Sequence, residues 1–393
     1  MSTIKSSSED LTLDADGGSS EIKLKINNVE KASISSAGAF TSTTIDATKL
    51  TGEKRNYIID GDFSQFPEGD KASVGHGAYG ACFFNYLKSA GELVIDMNQS
   101  TDVPTIAESG HKSSYSLEID VTTPETAVAA SDYAFVRYMV TGTDWAAVHK
   151  RGSMTLSFWH KHTTTGTYCV FMTNNAFNRT QIKEYTQSVS DTWEKAEITF
   201  SVETSDSGWA FTEADIGMNL GFTLMAGTDR HATGDTWVST TDYATSNQVF
   251  GCNDTTDFFR FSQVGLYLGS VAPTFTSPPI STVKTQVEYY IHRQDLDNSS
   301  GQELAMGTGR SGTDHDAYYR FPVRMRATPT MSYGAAATWS ATGVAGGGTA
   351  STKHGPTVLG VSVTTGINVT NGAAHLMARD GTDTCFIQAD ARH

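Results

Sequence analysis

The sequence predicts an all-β protein whose strands pair antiparallel. From residue 56 onward, apolar residues recur at every second position in run after run, and Gly, Asp, Asn or Thr bounds each run. A period of two is that of a strand with one buried face, whereas a buried helix face repeats every three to four residues. No stretch carries an apolar helical stripe for more than a couple of turns. Strands without intervening helices pair antiparallel and bury their apolar faces in a two-sheet sandwich or jelly roll.

Five alternating sets predict the core of this sandwich. Each places three or four apolar side chains on one face of a strand. The sets are Tyr115, Leu117, Ile119 and Val121; Met154, Leu156 and Phe158; Ala196, Ile198, Phe200 and Val202; Met218, Leu220, Phe222 and Leu224; and Val264, Leu266 and Leu268.

The first 55 residues differ from the rest of the chain. They contain few aromatics, and their clearest strand, S-E-I-K-L-K-I-N, places Ile22, Leu24 and Ile26 on one face. A single strand cannot bury such a face alone. We therefore expect residues 1–55 to form an extended attachment and oligomerisation arm.

Two further domains are predicted after this arm. Residues 56–272 carry the alternating sets and are expected to form the antiparallel jelly roll. The segment VAPTFTSPPIST at 271–282 is rich in proline, which removes ladder donors and marks a boundary. Residues 273–393 are expected to form a small β-sandwich tip domain, with a Gly- and Ala-rich loop near its middle.

The charge balance excludes two classes of partner. The chain has 28 Lys and Arg against 43 Asp and Glu, which gives a formal net charge of −15. Binding to nucleic acid or to an anionic membrane surface needs a cationic surface, so neither is expected. No apolar run reaches the roughly 18 residues of a membrane span, and the start of the chain lacks the apolar core of a secretory signal. We expect a soluble protein that is not exported by such a signal.

The cysteines predict neither a zinc site nor a disulfide framework. Cys82, Cys169, Cys252 and Cys385 lie far apart and form no C-x-x-C motif. Isolated thiols, several of them buried, are the favoured interpretation.

Several phrases resemble known modules. NYIIDGDFSQFPEG, at 56–69, resembles the opening strand of jelly-roll carbohydrate-binding modules, and SLEIDV, MTLSFWHK, DTWEKAEITF and DFFRFSQVGLYLGS follow in the order of those modules. VEYYIHR followed by YYRFPVRMRATPT resembles the distal part of bacteriophage tail fibres. LTLDADGGSSEIKLKINNVEKASISSAGAFTS is similar to the virion-proximal repeats of such fibres.

Together these phrases resemble a phage tail fibre, or a related virion appendage, with a carbohydrate-binding-like jelly roll. The resemblance implies a structural virion protein, usually a homotrimer, that is made in the host cytoplasm and assembled with tail or baseplate proteins. It would recognise a glycan on the host cell surface and mediate adsorption. No nucleophile elbow, P-loop or zinc-protease motif occurs, so we expect no enzymatic activity. The alternatives are a fibre-borne depolymerase, a head or neck fibre, and a cellular adhesin.

Four aromatic residues are the candidates for glycan binding. Trp145, Trp209, Trp237 and Tyr243 lie among Gly, Asp, Ser and Thr, where loops are expected, and loops at the ends of a sandwich commonly bind ligands. Packing or subunit contact is an equally open interpretation for each of them. Trp159 and Trp193 lie inside alternating phrases and are expected to pack.

Two patterns could hold a metal ion. Jelly-roll sugar modules often hold a structural calcium near the first strand, and Asp60, Asp62 and Asp257 could serve here; a solvated turn is the favoured alternative, because Asp-Gly is chiefly a turn signal. His160 and His162 lie on the same side of a strand, but no third ligand is identifiable. We expect both histidines to face solvent.

One polar and aromatic cluster stands out in the C-terminal domain. RSGTDHDAYYR, at 310–320, is either a receptor-binding surface or a hairpin loop.

Overall fold

The computed structural model describes residues 22–26, 29–34, 40–42, 55–89, 91–296, 303–309, 314–333, 339–341, 350–364, 374–379 and 385–393. They fall into two compact units, Met1–Glu53 and Lys54–His393. The first unit contains a three-stranded antiparallel sheet of β1 (Ile22–Ile26), β2 (Val29–Ile34) and β3 (Phe40–Ser42).

The predicted strand in the first unit is present. On β1 the side chain of Leu24 is 51% exposed within the described structure, and on β2 that of Ile34 is 39% exposed. The arm's role in attachment and oligomerisation stays a prediction.

The second unit begins with an antiparallel sandwich of two sheets, which confirms the predicted fold class. The seven-stranded sheet contains, in spatial order, β14 (Trp237–Val238), β11 (Thr180–Gln187), β10 (Gly166–Thr173), β13 (Ile216–Ala226), β8 (Tyr133–Thr141), β5 (Phe84–Lys88) and β4 (Tyr79–Ala81). The five-stranded sheet contains β12 (Glu194–Ser201), β9 (Ser153–His162), β15 (Phe258–Leu268), β7 (Ser116–Thr123) and β6 (Val94–Ser100).

The core lies between these two sheets. The alternating sets supply much of it: Leu117, Leu156, Phe200 and Leu220 each have no exposed surface. Rings from both sheets meet there; for example, Phe158 and Phe222 pack edge to face with centroids 5.3 Å apart. Period-two alternation therefore identified the buried faces correctly.

In the described part of the chain, three α-helices and one 3₁₀ turn interrupt the strands. They are α1 (Ile106–Ser109), α2 (Gly142–Val148), α3 (Ile280–Tyr290) and the 3₁₀ turn Thr228–Arg230. Helix α3 was not predicted, because its apolar stripe consists of only Val283 and Val287, one turn apart and both buried. The phrase VEYYIHR is helical up to Tyr290 and continues into the next strand. No helix in the described part of the chain is long and apolar enough to cross a bilayer.

Two antiparallel sheets follow α3. The three-stranded sheet contains β16 (Ile291–Leu296), β24 (Cys385–Asp390) and β19 (Thr330–Tyr333). The six-stranded sheet contains β20 (Trp339–Ala341), β23 (Ala374–Arg379), β17 (Glu303–Gly309), β18 (Asp314–Arg320), β22 (Val358–Thr364) and β21 (Ala350–His354).

The polar cluster RSGTDHDAYYR lies partly on β18. Its described part pairs with β17 and β22, so from Asp314 onward it is a strand and not a hairpin loop. Tyr318 within it is 69% exposed. Its role as a receptor surface stays a prediction.

The last residues of the chain contact the sandwich through Arg392. Its guanidinium lies 2.7 Å from Glu68 and 2.6 Å from Asp390, and it donates to the carbonyl of Cys82 at 2.6 Å. Burial alone would raise the pKa of Glu68, but the charge and hydrogen bond of Arg392 together lower it. This contact lies within the second unit; the predicted domain boundary at 272/273 stays a prediction.

The thiols of Cys82, Cys169 and Cys252 are buried and unpaired, as predicted. Burial raises the pKa of all three. They are therefore poor nucleophiles at neutral pH.

Candidate ligand-binding face on the seven-stranded sheet

Strand β8 positions the candidate site. Ala134, Val136, Tyr138 and Val140 belong to the core between the sheets. Because side chains alternate along a strand, Tyr133, Phe135, Arg137 and Met139 lie on the other face of the seven-stranded sheet. We call this the outer face. The strand is thus apolar on both sides except at Arg137.

Half of the outer face is covered by the chain between β13 and β15. Phe135 and Phe171 pack edge to face with centroids 5.0 Å apart, and the ring of Tyr243 lies 4.7 Å from that of Phe135. Thr223 on β13 donates a hydrogen bond to the carbonyl of Tyr243 at 2.6 Å, which holds the covering segment in place. Phe135 and Phe171 are completely buried in this way. They form a second apolar cluster that stiffens the sheet next to Arg137.

Arg137 is fixed at the centre of the open half. Its Nε donates to Asn85 Oδ1 at 3.1 Å, and its Nη1 donates to Asn219 Oδ1 at 3.0 Å. Asn85 Nδ2 donates to the carbonyl of Gly77 at 2.6 Å, and Asn219 Nδ2 donates to that of Asn174 at 3.2 Å. Both amides are therefore held at their nitrogen ends with their oxygens turned to the guanidinium. The guanidinium is preorganised and still partly exposed.

Aromatic rings border this polar centre. The guanidinium carbon of Arg137 lies 5.4 Å from the ring centroid of Phe177, which also contacts Phe135 at 6.1 Å. Phe177 has a φ of 54°, in the left-handed region that non-glycine residues seldom adopt. The turn that holds it there is closed by the amide of Asn178 donating to Asn174 Oδ1 at 3.1 Å.

Tyr79 lies at the other border, on the edge strand β4. It is paired in register with Asn85, and its ring lies 4.0 Å from the guanidinium carbon of Arg392. Its hydroxyl donates to a main-chain oxygen of His393, the last residue, at 3.0 Å. The open half of the outer face thus presents the partly exposed guanidinium of Arg137 between two partly exposed rings, Phe177 and Tyr79, whereas Asn85 and Asn219 are buried. Such a surface can stack on a flat apolar ligand face and pair with its polar groups.

None of the four predicted ligand residues lies in the open half of the outer face, and three of them form one cluster. Trp145 lies on α2 with no exposed surface, so its expected loop position was wrong and its ring cannot stack on a ligand. Its centroid is 4.6 Å from that of Trp209, which is 8% exposed and lies 5.7 Å from Trp237. Trp237 is half-buried and donates from Nε1 to the carbonyl of Ser201 at 2.9 Å. These rings close one end of the core.

Tyr243 is on a loop as predicted, but its ring points inward. It is 6% exposed, and burial raises its pKa to about 12. The correction for both Trp145 and Tyr243 has one cause: polar neighbours in sequence predict a loop or a helix end, but not the direction of the ring.

The three predicted calcium ligands are not brought together. Asp60 accepts from the amides of Ser64 and Gln65 at 2.9 and 2.7 Å, and burial raises its pKa to about 6. Asp257 accepts from the amides of Asn253 and Asp254 at 3.0 Å each. Each carboxylate closes its own turn, but both are buried, so the expected solvated turn was wrong as to exposure.

Asp62 is bound differently, to side chains from two other segments. Its Oδ2 lies 3.1 Å from His111 Nε2 and accepts from Ser277 Oγ at 2.9 Å. Within the described residues, no group of three or more His, Cys, Asp or Glu side chains could hold a metal ion. The prediction that Asp60, Asp62 and Asp257 form one calcium site was therefore wrong. Each of the three carboxylates makes its own separate turn or loop contacts.

His160 and His162 are buried, which corrects the expectation that they face solvent. Their rings stack 5.2 Å apart inside the sandwich. His160 Nδ1 lies 2.9 Å from Gln187 Oε1, and His162 Nε2 lies 3.0 Å from the hydroxyl of Tyr185. Burial lowers the pKa of His160 to about 4 and that of His162 well below its ordinary value. Both are neutral core residues at pH 7.

Sequence reasoning missed Arg137, Asn85, Asn219 and Phe177. A signal for Arg137 is present in YAFVRYMV, where one charged residue interrupts a run that is otherwise apolar on both faces. A charge at such a position needs polar partners on neighbouring strands, and here they are Asn85 on β5 and Asn219 on β13. Phe177 gives no comparable signal, because its position depends on a local turn.

A second concave region lies between the opening segment and α3. This cavity has a volume of about 730 Å³ and is lined by residues 55–60, by Asp144 and by parts of 276–290. Arg55 forms an ion pair with Asp144 at 2.6 Å, and its guanidinium carbon lies 4.8 Å from the ring of Tyr57. The side-chain oxygen of Asn56, in the wall of this cavity, accepts hydrogen bonds from the backbone amides of Ile58 and Leu266, both at 2.9 Å.

No protein-family model and no curated protein sequence matches this chain. Solved structures similar to it include a putative sugar-binding protein from Bacteroides thetaiotaomicron, at 13% identity, covering 55% of this chain and 100% of that one with a TM-score of 0.29. A family 11 carbohydrate-binding module from Clostridium thermocellum has 12% identity, covers 51% and 95% of the two chains, and has a TM-score of 0.26. A tandem of two family 22 modules from Paenibacillus barcinonensis has 12% identity, covers 82% and 88%, and has a TM-score of 0.24. Similarity at this level establishes no shared function.

Proposed function

We propose that this chain is a non-enzymatic fibre protein of a virus particle that infects bacteria, and that it recognises a host-surface glycan through the outer face. The observation that carries the glycan assignment is the arrangement around Arg137. Partly exposed rings border a guanidinium that two buried amides, those of Asn85 and Asn219, hold in place. Protein sites for sugars combine the same two elements, since rings stack on the apolar faces of pyranoses and planar polar groups pair with hydroxyls.

The virion assignment is supported by the sequence alone. The phrases YYRFPVRMRATPT and AGAFTS resemble the distal and virion-proximal parts of phage tail fibres. In this proposal residues 1–55 attach the chain to tail or baseplate proteins and to two further copies of itself. Weak glycan contacts from each copy then combine, because several sites on one assembly raise the effective concentration without new contacts.

Isothermal titration calorimetry tests the glycan assignment. A panel of neutral and acidic bacterial surface oligosaccharides is titrated into the full chain. We expect Phe177→Ala to weaken binding roughly 10-fold, the loss expected for one aromatic contact of about 1.4 kcal/mol. The matched control is Phe258→Ala, because Phe258 is also partly exposed but lies on β15 of the other sheet. Binding that survives Phe177→Ala, or that falls equally in the control, contradicts the assignment to this face.

Two measurements test the fibre assignment. Size-exclusion chromatography with light scattering is expected to give a trimer, and a stable monomer would contradict the fibre. Removal of residues 1–55 is expected to abolish incorporation into particles while the sandwich stays folded. Incubation with the bound polysaccharide is expected to release no reducing ends; sustained release would favour a depolymerase instead.

A further inference from the structure

The charge of Arg137 distinguishes the outer face from an ordinary polar surface. Both of its hydrogen bonds go to neutral amide oxygens, those of Asn85 and Asn219. Within the part of the chain that the structure describes, no carboxylate forms an ion pair with it. Two of the ionisable groups that interact with it, Tyr79 and Tyr243, are phenols whose pKa burial raises, so they stay neutral at pH 7. The third is the imidazole of His393, whose pKa is lowered to about 4 by burial and by nearby charges that include Arg137, so it is neutral as well.

Three other shielded cations of the second unit contact carboxylates, whereas Lys88 and Arg230, which are also partly buried, donate to neutral oxygens. Arg260 contacts Glu118 and lies 2.7 Å from Asp102. Lys161 lies 2.8 Å from Asp102 on the outer side of the five-stranded sheet. Arg392 has two carboxylate partners, as described above. The chain has a net charge of −15 and therefore many carboxylates, yet among the described residues none pairs with Arg137.

Shielding a cation from water has a free-energy cost that an opposite charge offsets. Burial lowers the pKa of Arg137, which reflects that cost. A guanidinium has five N–H groups in a planar fork. Two of them are used by the amides, which leaves three N–H groups without a partner among the described residues.

We propose that the outer face binds a glycan that carries a carboxylate, as uronic acids do, and that Arg137 pairs with that carboxylate. This inference rests on the proposed glycan-binding function and names its substrate class. The hydroxyls of a neutral sugar can accept the same hydrogen bonds, but they leave the charge of Arg137 unpaired. A carboxylate has two oxygens in one plane and matches the guanidinium fork. A phosphate can accept the same pair of hydrogen bonds, so the panel below includes a phosphate-bearing polymer. The ring of Phe177 beside the guanidinium provides the surface on which the sugar ring stacks.

The test uses the full chain and matched pairs of ligands. The acidic members are oligogalacturonate, alginate and hyaluronan oligosaccharides and sialyllactose. Each is paired with its carboxyl-reduced, neutral counterpart. Neutral galacto- and xylo-oligosaccharides and a glycerol-phosphate teichoic acid complete the panel.

We expect at least one acidic member to bind, and carboxyl reduction of that ligand to weaken binding about 10- to 100-fold, as for loss of a charge-assisted hydrogen-bonded pair. Because this comparison changes only the ligand, it does not depend on the folding of any variant. In Arg137→Gln, carboxyl reduction should no longer change the affinity, since the interacting partner is already absent. The control Arg324→Gln removes an exposed charge from the C-terminal part and should behave like the wild type.

The possible outcomes separate the two proposals. Binding of neutral sugars that exceeds or equals binding of acidic ones overturns the inference but leaves glycan recognition intact. Binding confined to the teichoic acid, or a carboxyl effect that persists in Arg137→Gln, also overturns it. Failure of every glycan to bind contradicts the proposed function itself.

Discussion

Acidification is expected to destabilise the sandwich through His160. This histidine is buried on β9, and its Nδ1 donates to Gln187 Oε1 at 2.9 Å. Gln187 Oε1 also accepts from the backbone amide of His162 at 3.0 Å, so protonation of His160 would place a charge inside a network of neutral groups. His162 stacks on it and opposes a second charge.

The size and the pH window of this effect follow from the pKa of His160. Burial lowers that pKa from 6.5 to about 4, so between pH 6.5 and pH 4 the unfolded chain binds more protons than the folded one. The contribution to stability is complete above pH 6.5 and declines as the pH falls towards 4. The difference corresponds to about 3 kcal/mol.

Asp60 acts in the opposite direction. Burial raises its pKa from 3.8 to about 6, so its contribution is present at low pH and is lost as the pH rises through 6. The pH dependence of the wild type alone therefore mixes two effects of opposite sign, and a variant is needed to isolate the histidine.

The contribution of His160 is isolated by comparing the wild type with His160→Gln. Both proteins are unfolded with urea at pH 7, 5.5 and 4, and unfolding is followed by tryptophan fluorescence. From pH 7 to pH 4 the free energy of unfolding of the wild type should fall by about 3 kcal/mol relative to that of His160→Gln. His76→Gln is the matched control, because it removes a histidine that is exposed. A difference for His160→Gln that stays constant over this range would refute the assignment of a buried, neutral histidine.

Three further substitutions test the packing by urea denaturation at pH 7. Trp145→Ala should cost about 3–5 kcal/mol, because the ring is completely buried; a loss below about 1 kcal/mol would mean that it is not a core residue. Gly61→Ala should cost about 2 kcal/mol or more, because a Cβ there would lie 1.9 Å from the carbonyl oxygen of Val264, and a neutral effect would place the loop elsewhere. Arg392→Met should cost about 2–3 kcal/mol, because Glu68 loses a charge-assisted hydrogen bond and keeps Lys71, at 3.1 Å, as its cationic partner; unchanged stability would show that the C-terminal contact does not form.

The fold class was predictable because it depends on a repeated local pattern. Leu117, Ile119 and Val121 alternate in the sequence and lie fully buried on one face of β7. Helix α3 was not predictable in the same way, because two valines one turn apart are too few to establish a helical period.

The candidate site was not predicted, because it is formed across strands. Arg137, Asn85 and Asn219 come from β8, β5 and β13, and only the sheet register brings them together. Trp145 shows the reverse error. Its polar neighbours predicted a loop, but tertiary packing turned the ring into the core. Composition around a residue therefore does not predict the direction of its side chain.

Hydrogen exchange of the full chain with and without a bound oligosaccharide tests the central claim most directly. If the outer face binds the glycan, protection should increase at residues 84–88, 133–139 and 174–178, which form β5, the centre of β8 and the Phe177 turn. Protection should stay unchanged at 276–290, which lines the separate cavity beside α3. Increased protection at 276–290 with none on β8 would contradict the account and assign binding to that cavity.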